Sequence, residues 1–170
     1  SRKNYMMELL CERLTGQREE GFTSSAMQRG TELEPVARAA YEVNYDAVVT
    51  EAEFVLHPDY DFTGSSPDGY VDEDGLIEIK CPNTAQHIAC IQYRKHDAKY
   101  EWQMLHQMFC TGREWCEFAS FDDRLPEPLQ LFVSRVERDE AKIKTMLEEI
   151  LKFEEELQAL TEEMMKRMNK

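Results

Sequence analysis

The spacing of apolar residues predicts helices at both ends of the chain and in its middle. Near the start, Tyr5, Leu9 and Leu10 recur at helical intervals, which predicts a helix over 3–14 that Gly16 ends. The same periodicity predicts four further helices, over about 24–44, 84–93, 97–110 and from Asp139 to the end of the chain. The last of these is long for a chain of this size.

Between these helices the apolar pattern shortens to runs that are typical of β-strands. From Ala47 onward, Val, Phe and Tyr come in short groups separated by Gly, Pro and Asp. The Asp-Glu-Asp-Gly sequence over 72–75 predicts a tight turn, with glycine supplying a positive φ, and a strand over 76–80 follows it. Further strands are predicted over 115–121 and 129–136. This order of elements predicts an α/β (α+β) fold with a mixed sheet between helices.

The composition is that of one folded domain spanning residues 1–170. Hydrophobic residues make up 42% and charged residues 32% of the chain, which provides enough apolar material for a core. No apolar run approaches the roughly 18 residues of a membrane span, and the first thirty residues lack a basic-then-apolar leader. The five cysteines form no CxxC pair. We therefore expect a cytoplasmic protein with reduced thiols and no membrane partner.

The net charge limits which functions are compatible with the sequence. Twenty basic residues face 34 acidic ones, which gives a formal net charge of −14 at pH 7. An acidic chain has no electrostatic reason to coat nucleic acid, whose backbone is also negative. If the protein acts on DNA, a local basic lining or a bound cation must overcome this repulsion.

One short stretch combines residues that carry chemistry. Asp68 precedes the predicted turn and Glu78 follows it, so a hairpin would bring the two carboxylates together. Side chains alternate along a strand, which places Glu78 and Lys80 on one face. Two close carboxylates repel each other, and a hard divalent cation relieves that repulsion, with the Ile79 carbonyl as a further oxygen ligand. The alternative is an ordinary turn followed by an exposed Glu78–Lys80 ion pair.

These residues also carry a family resemblance. Pro67-Asp68 followed by Glu78-x-Lys80 resembles the PD-(D/E)xK nuclease signature, and the fuller Ser-Pro-Asp-Gly and Glu-Ile-Lys-Cys-Pro strings resemble the phage lambda exonuclease and YqaJ-type viral recombinase family. Upstream, Gly30-x-x-x-Glu34 is similar to a family helix whose glutamate serves the metal site. Downstream, Tyr100-x-x-Gln103 is similar to a family helix that lines the active site. The resemblance extends over about residues 5–135.

The resemblance implies a restriction-endonuclease-like fold and a role for each matching residue. Asp68, Glu78 and the Ile79 carbonyl would ligate Mg²⁺, or Mn²⁺ in its place, and Glu34 would serve the metal site as well. Lys80 would position and deprotonate the attacking water. The remaining matches would hold water or phosphate, and they are Ser66, Tyr100 and Gln103.

The resemblance further implies an activity and its partners. The protein would be a Mg²⁺-dependent exonuclease of phage-type recombination in the cytoplasm of a host cell. It would hydrolyse one strand of linear duplex DNA from the 5′ end and leave a 3′ single-stranded overhang. A single-strand annealing protein would be its partner, and a ring-shaped homotrimer would enclose the DNA. The family's N-terminal segment that helps to bind the 5′ phosphate is expected to be missing before Ser1.

Two alternatives and one weaker signal stay open from the sequence. The same centre would also suit a metal-dependent endonuclease, and a non-catalytic DNA-binding or scaffold subunit is the alternative from a different class. Arg94 and Lys95 form a basic cluster before the Tyr100 helix. This cluster would either bind substrate phosphates or be only the solvated end of a helix.

Overall fold

The computed structural model describes residues 1–17 and 24–168, and it contains two compact units. One unit combines the first helix with the last helix from Lys144 onward, and the other extends to Ile143. A compact unit is not by itself a folding domain, so the single nuclease domain over residues 1–170 stays a prediction. Among the described helices, none combines the length and the hydropathy that a bilayer span requires.

The described elements follow the predicted alternation of helices and strands. The helices are α1 (Arg2–Thr15), α2 (Ser25–Tyr45), α3 (Thr84–Tyr93), α4 (Glu101–Thr111) and α5 (Glu140–Met168), with short 3-10 turns at Ala98–Tyr100 and Glu127–Leu129. The strands are β1 (Val49–Thr50), β2 (Val55–Leu56), β3 (Gly64–Ser65), β4 (Gly69–Val71), β5 (Gly75–Lys80), β6 (Trp115–Phe121) and β7 (Leu131–Glu137).

The larger unit contains a five-stranded mixed sheet in the order β1-β4-β5-β6-β7. Its strands pair antiparallel except for β5 and β6, which are parallel from Gly75 opposite Trp115 to Lys80 opposite Ser120. Parallel neighbours need a long crossover connection, and α3 and α4 provide it here. The predicted fold class, a mixed sheet flanked by helices with a long final helix, is confirmed.

Alternation along β5 decides which side chains enter the apolar core. Ile77 and Ile79 pack with Ala37 and Tyr41 of α2 in one buried cluster. Glu78, one position out of phase, contacts α4 instead. The strand therefore supplies apolar side chains to α2 and an acidic side chain to α4, which is what places a carboxylate inside the protein.

The hairpin between β4 and β5 differs from the prediction in one respect. The turn lies where the sequence predicts it, but the residue with positive φ is Asp72 (φ 51°), and Gly75 lies in β5 opposite Val71. Glycine is needed at position 75 because a Cβ there would lie 2.2 Å from the ring of Trp115. Aspartate tolerates the left-handed region better than most residues, so Asp72 can make the turn.

A buried carboxylate at the end of β6 connects three segments of the larger unit. Asp122 has no solvent exposure; its oxygens accept hydrogen bonds from Thr84 Oγ1 at 2.6 Å, Arg124 Nε at 2.8 Å and Arg29 Nη2 at 3.3 Å. Burial opposes ionisation, but the hydrogen bonds from Arg124 and Thr84 outweigh it and hold the pKa of Asp122 well below its usual value. This ion pair fixes the start of α3 against α2.

The smaller unit is a helix pair. Leu10 of α1 and Leu157 of α5 are both buried, and Tyr5 stacks on Phe153 with ring centroids 5.7 Å apart. An ion pair between Arg13 Nη2 and Glu154 Oε2 at 2.7 Å adds a polar contact at the edge of this packing. The predicted helical spacing of apolar residues at the two ends of the chain thus forms a second, smaller core.

Candidate active site

A cavity of about 460 Å³ lies at the carboxyl end of β5, between α2 and α4. The strand delivers the Glu-Ile-Lys sequence to its wall, and the segment before β4 delivers the Ser-Pro-Asp-Gly sequence. Eight of the ten residues that the sequence analysis singled out line it, namely Glu34, Ser66, Asp68, Glu78, Ile79, Lys80, Tyr100 and Gln103. Residues from four separate parts of the sequence thus meet in one place.

Asp68 is held by the end of the β4–β5 ladder. Gly69 pairs with Ile77 in the ladder. Beyond this pair, the side chain of Asp68 replaces a backbone carbonyl as the acceptor, because its Oδ2 accepts a hydrogen bond from the Ile79 amide at 2.7 Å. A Cβ on Gly69 would lie 2.3 Å from Val49 Cγ1, so this close strand approach needs glycine. The local sequence therefore fixes the carboxylate at the level of Ile79.

Glu78 is buried, and its carboxylate is clamped by three side chains. Oε1 accepts from Gln103 Nε2 at 2.9 Å and lies 2.8 Å from Lys80 Nζ. Oε2 accepts from Gln107 Nε2 at 2.6 Å. The two glutamines occupy successive turns of α4, so the helix provides one amide donor for each oxygen of the Glu78 carboxylate. This arrangement excludes the exposed-ion-pair alternative for Glu78, whose exposed fraction is 2%.

The two carboxylates affect each other electrostatically. Burial, and then the negative charge of Glu78, raises the pKa of Asp68 to about 7, against the opposing hydrogen bond from the Ile79 amide. Burial alone would lower the pKa of Lys80, but the charge of Glu78 and its hydrogen bond raise that pKa above the ordinary lysine value. The site therefore has more negative charge than Lys80 alone neutralises, and Lys80 is held as an ammonium.

The residues fit a divalent cation in charge and in ligand type, although they do not form a closed cage. Across residues 1–17 and 24–168, no group of three or more His, Cys, Asp or Glu side chains is spaced to hold a metal ion. Burial is the largest cause of the raised pKa of Asp68, and repulsion from Glu78, which a cation would relieve, is the next. Carboxylate and carbonyl oxygens are the ligands that Mg²⁺ prefers.

Glu34 lines the same cavity from α2 and is held by an arginine. Arg38, one turn further along α2, places Nη2 3.4 Å from Glu34 Oε1 and 3.5 Å from the Asp68 carbonyl oxygen. Arg38 therefore connects the helix to the segment that carries Asp68. The sequence analysis missed this residue, although its i,i+4 spacing from Glu34 is a recognisable signal.

Gln107 was also missed. It is buried, with 2% exposure, in a part of α4 whose other buried residues are apolar or cysteine. Its position, one turn after Gln103 on an otherwise apolar helix face, is the signal that would have found it, because a buried amide needs a polar partner.

We expect Gln107→Leu to lower the free energy of unfolding by about 2 kcal/mol, because it leaves a buried carboxylate oxygen without its donor. Gln103→Leu changes the exposed amide on the same carboxylate, where water can replace it, and is expected to cost under about 1 kcal/mol. Urea unfolding of the two variants and of the unmodified chain measures this difference. Equal losses in the two variants would contradict it.

Tyr100 is fixed by an aromatic contact and two cations. Its ring stacks on Phe118 with centroids 5.4 Å apart and an interplanar angle of 25°. Lys80 Nζ lies 5.1 Å and Lys99 Nζ 5.0 Å from the centroid of the Tyr100 ring. The ring is thereby held in place beside the acidic residues, where a phenol hydroxyl can donate a hydrogen bond to an anion.

Arg94 and Lys95 lie apart from this group. Arg94 ends α3 in the left-handed region, with φ 54°, and does not line the cavity. Lys95 lines a neighbouring cavity that also contains Tyr100. The structure thus brings together the residues of the two motifs and both flanking helices, and it places the basic cluster next to them rather than among them.

Comparison with known proteins identifies the family. The family described as the YqaJ-like viral recombinase domain matches residues 1–114 of the 170. No curated protein matches the chain at the required significance.

Solved structures match over nearly the whole chain. An alkaline exonuclease, LHK-Exo from Laribacter hongkongensis, is 49% identical; the match covers 99% of this chain and 85% of that one, with a TM-score of 0.94. LHK-Exo in complex with dAMP matches with the same identity and coverage and a TM-score of 0.95.

A more distant structure supports the fold alone. It is a phage-related exonuclease from Haemophilus somnus 129PT, 19% identical, with a TM-score of 0.77 over 95% of this chain and 83% of that one. The resemblance predicted from the two motifs is confirmed by the family match and by the LHK-Exo structures. The chain belongs to the YqaJ-like viral recombinase domain family.

Proposed function

We propose that the chain is a metal-dependent deoxyribonuclease, specifically an exonuclease of phage-type recombination that degrades one strand of linear duplex DNA. The observation that carries this proposal is the cavity in which Asp68, Glu78 and Lys80 meet, with the pKa of Asp68 raised partly by Glu78. LHK-Exo is described as an alkaline exonuclease and has been seen with dAMP, a deoxynucleoside monophosphate of the kind that an exonuclease releases.

The proposal assigns a divalent cation, Mg²⁺ or Mn²⁺, to the acidic side of the cavity. Asp68, Glu78 and the Ile79 carbonyl would hold it, with Glu34 contributing from α2. When bound, such an ion neutralises phosphate charge and lowers the pKa of a coordinated water. It would also allow a chain of net charge −14 to approach DNA.

The other roles belong to side chains that the structure already orients. The Lys80 ammonium, held by Glu78 at 2.8 Å, would position the attacking water and stabilise the charge that develops on the phosphate. Removal of the water's proton, the second role that the resemblance implies for Lys80, requires that this ammonium first lose its own. Gln103 and Tyr100 would bind water or the scissile phosphate, and the exposed Ser66 would contact the terminal phosphate.

The finer features of the proposal come from the family alone. They are 5′ to 3′ polarity, a 3′ single-stranded overhang, a ring-shaped homotrimer, a single-strand annealing protein as partner and a cytoplasmic location in a host cell. A closed ring would confer processivity without tight binding, which suits an acidic protein.

We expect linear duplex DNA with a 5′ phosphate to be shortened to mononucleotides in the presence of Mg²⁺ and left intact in the presence of EDTA. Gel sizing of products from 5′-labelled and 3′-labelled strands measures the polarity. Covalently closed circular duplex is the control, because it has no end. Cleavage of the circle would favour the endonuclease alternative, and intact linear DNA with every divalent cation tested would contradict the nuclease proposal.

A further inference from the structure

A second cavity, of about 350 Å³, adjoins the catalytic cavity. The two cavities share three lining residues, Pro82, Gln86 and Tyr100. Its volume lies at the lower end of the range for small-molecule sites, roughly 300–1,000 Å³. A ligand that extends from the catalytic cavity past Tyr100 therefore enters this space next.

Four of the residues that line this second cavity have aromatic rings, namely Tyr93, His96, Tyr100 and Phe118. Tyr100 stacks on the buried Phe118, and His96 packs against Phe118 with ring centroids 5.6 Å apart. The exposed Tyr93 and the small side chain of Ala89 line the same cavity from α3. Aromatic walls beside a small residue form a slot for a planar ring, and every nucleobase has such a face.

The charge at the rim of this cavity matches a nucleotide rather than an uncharged ligand. Lys95 and Lys99 both line it, in a chain whose net charge is −14. The acidic residue in its lining is Asp97, whose Oδ1 accepts from the Lys99 amide at 3.0 Å and whose Oδ2 lies 3.8 Å from Lys99 Nζ. Both side chains of this ion pair are half-exposed, so a phosphate can compete with Asp97 for the ammonium. The Gln86 amide has both a donor and an acceptor to offer to the edge of any base.

We propose that this cavity is a nucleobase subsite, which takes the base of the nucleotide next to the scissile phosphate while Lys95 and Lys99 contact the adjoining phosphates. The inference rests on the proposed nuclease function and adds to it how the end of the strand is held. An unpaired base at a strand end has lost its stacking neighbour on one side, and the Tyr100–Phe118 stack replaces that neighbour.

Leucine substitutions at two alanines of α3 test the proposed subsite. Ala89 lines the cavity, and Ala85, one helical turn earlier, lines neither this cavity nor the catalytic one. We expect Ala89→Leu to fill the slot and raise the DNA concentration needed for half-maximal first cleavage about tenfold, which is the loss of one stacked base. The maximal rate should stay unchanged, and Ala85→Leu should behave like the unmodified chain.

The substrate provides a second, independent arm of the experiment. A duplex whose cleaved strand ends in two abasic sugars has the phosphates but no base to bind. The unmodified chain should need about tenfold more of this duplex, and Ala89→Leu should bind both duplexes equally. The proposal of a subsite is wrong if the unmodified chain needs the same concentration of both duplexes for half-maximal cleavage. It is also wrong if Ala89→Leu and Ala85→Leu need the same concentration of the normal duplex. Failure of the unmodified chain to cut the normal duplex would instead refute the proposed function.

Discussion

Replacement of Lys80 by alanine is expected to lower the rate of DNA hydrolysis roughly a thousandfold. The ammonium of Lys80 faces the cavity beside Glu78 and is held in its charged form there. Removing it takes away a positive charge that faces the reacting phosphate, and a water molecule that fills the space carries no such charge. The rate of mononucleotide release from a linear duplex at saturating Mg²⁺ measures the effect.

Two controls separate this loss from misfolding and from lost affinity. Lys142 is an exposed lysine that pairs with Glu101 away from the cavity, so Lys142→Ala should hydrolyse DNA at the normal rate. Binding of an end-labelled duplex by Lys80→Ala, followed by fluorescence anisotropy, should fall much less than hydrolysis does. Normal turnover by Lys80→Ala would exclude the assigned centre.

Loss of the buried Asp122 is expected to destabilise the fold. Asp122→Ala removes hydrogen bonds from Thr84, Arg124 and Arg29, and should lower the free energy of unfolding by about 2 kcal/mol. Arg29 and Arg124 are partly exposed and can be hydrated after the change, which keeps the cost below that of a fully buried pair. The urea midpoint at pH 7 measures the loss.

The neighbouring acid is a matched control for this variant. Asp123 is half-exposed and contacts Arg29 Nη2 at 2.6 Å, so Asp123→Ala should cost under about 0.5 kcal/mol. Similar losses for the two variants would show that burial of Asp122 is irrelevant.

The contribution of Asp122 to the free energy of unfolding should decrease as the pH falls. Because the pKa of Asp122 is lowered in the folded protein, its contribution is fully present above the ordinary aspartate pKa of about 4 and decreases as the pH falls below it. The difference in stability between the unmodified chain and Asp122→Ala should therefore shrink in acid. A difference that grows below pH 4 would contradict the assigned network.

Much of the fold and the candidate site follows from local sequence signals. Regular alternation places Glu78 and Lys80 on one strand face, and Ser24 begins α2 by capping the Met27 amide at 3.2 Å. The motif residues meet because a hairpin and two helices converge on the end of β5. The alternation and the cap involve residues that are close together in the sequence, so they can be recognised from the sequence alone.

Other features depend on partners that are distant in the sequence. The two-residue strands β1, β2 and β3 have no periodicity of their own and are defined by what they pair with. Gln107 and Arg38 acquire a role only through Glu78 and Asp68, which lie 29 and 30 residues away. The need for glycine at position 75 comes from the ring of Trp115, which belongs to another strand. The spacing of Arg38 from Glu34 and of Gln107 from Gln103 marks the two residues as candidates, but their contacts with Asp68 and Glu78 have no local signature.

The parallel pairing of β5 with β6 has a consequence for biosynthesis. Asp68, Glu78 and Lys80 leave the ribosome well before Gln103, Gln107 and β6, which come after or within the crossover. A nascent chain that stops before β6 lacks the central partner of β5, so its acidic residues are not yet locked in place. We therefore expect the growing polypeptide to be harmless to the DNA around it until translation has passed the sixth strand.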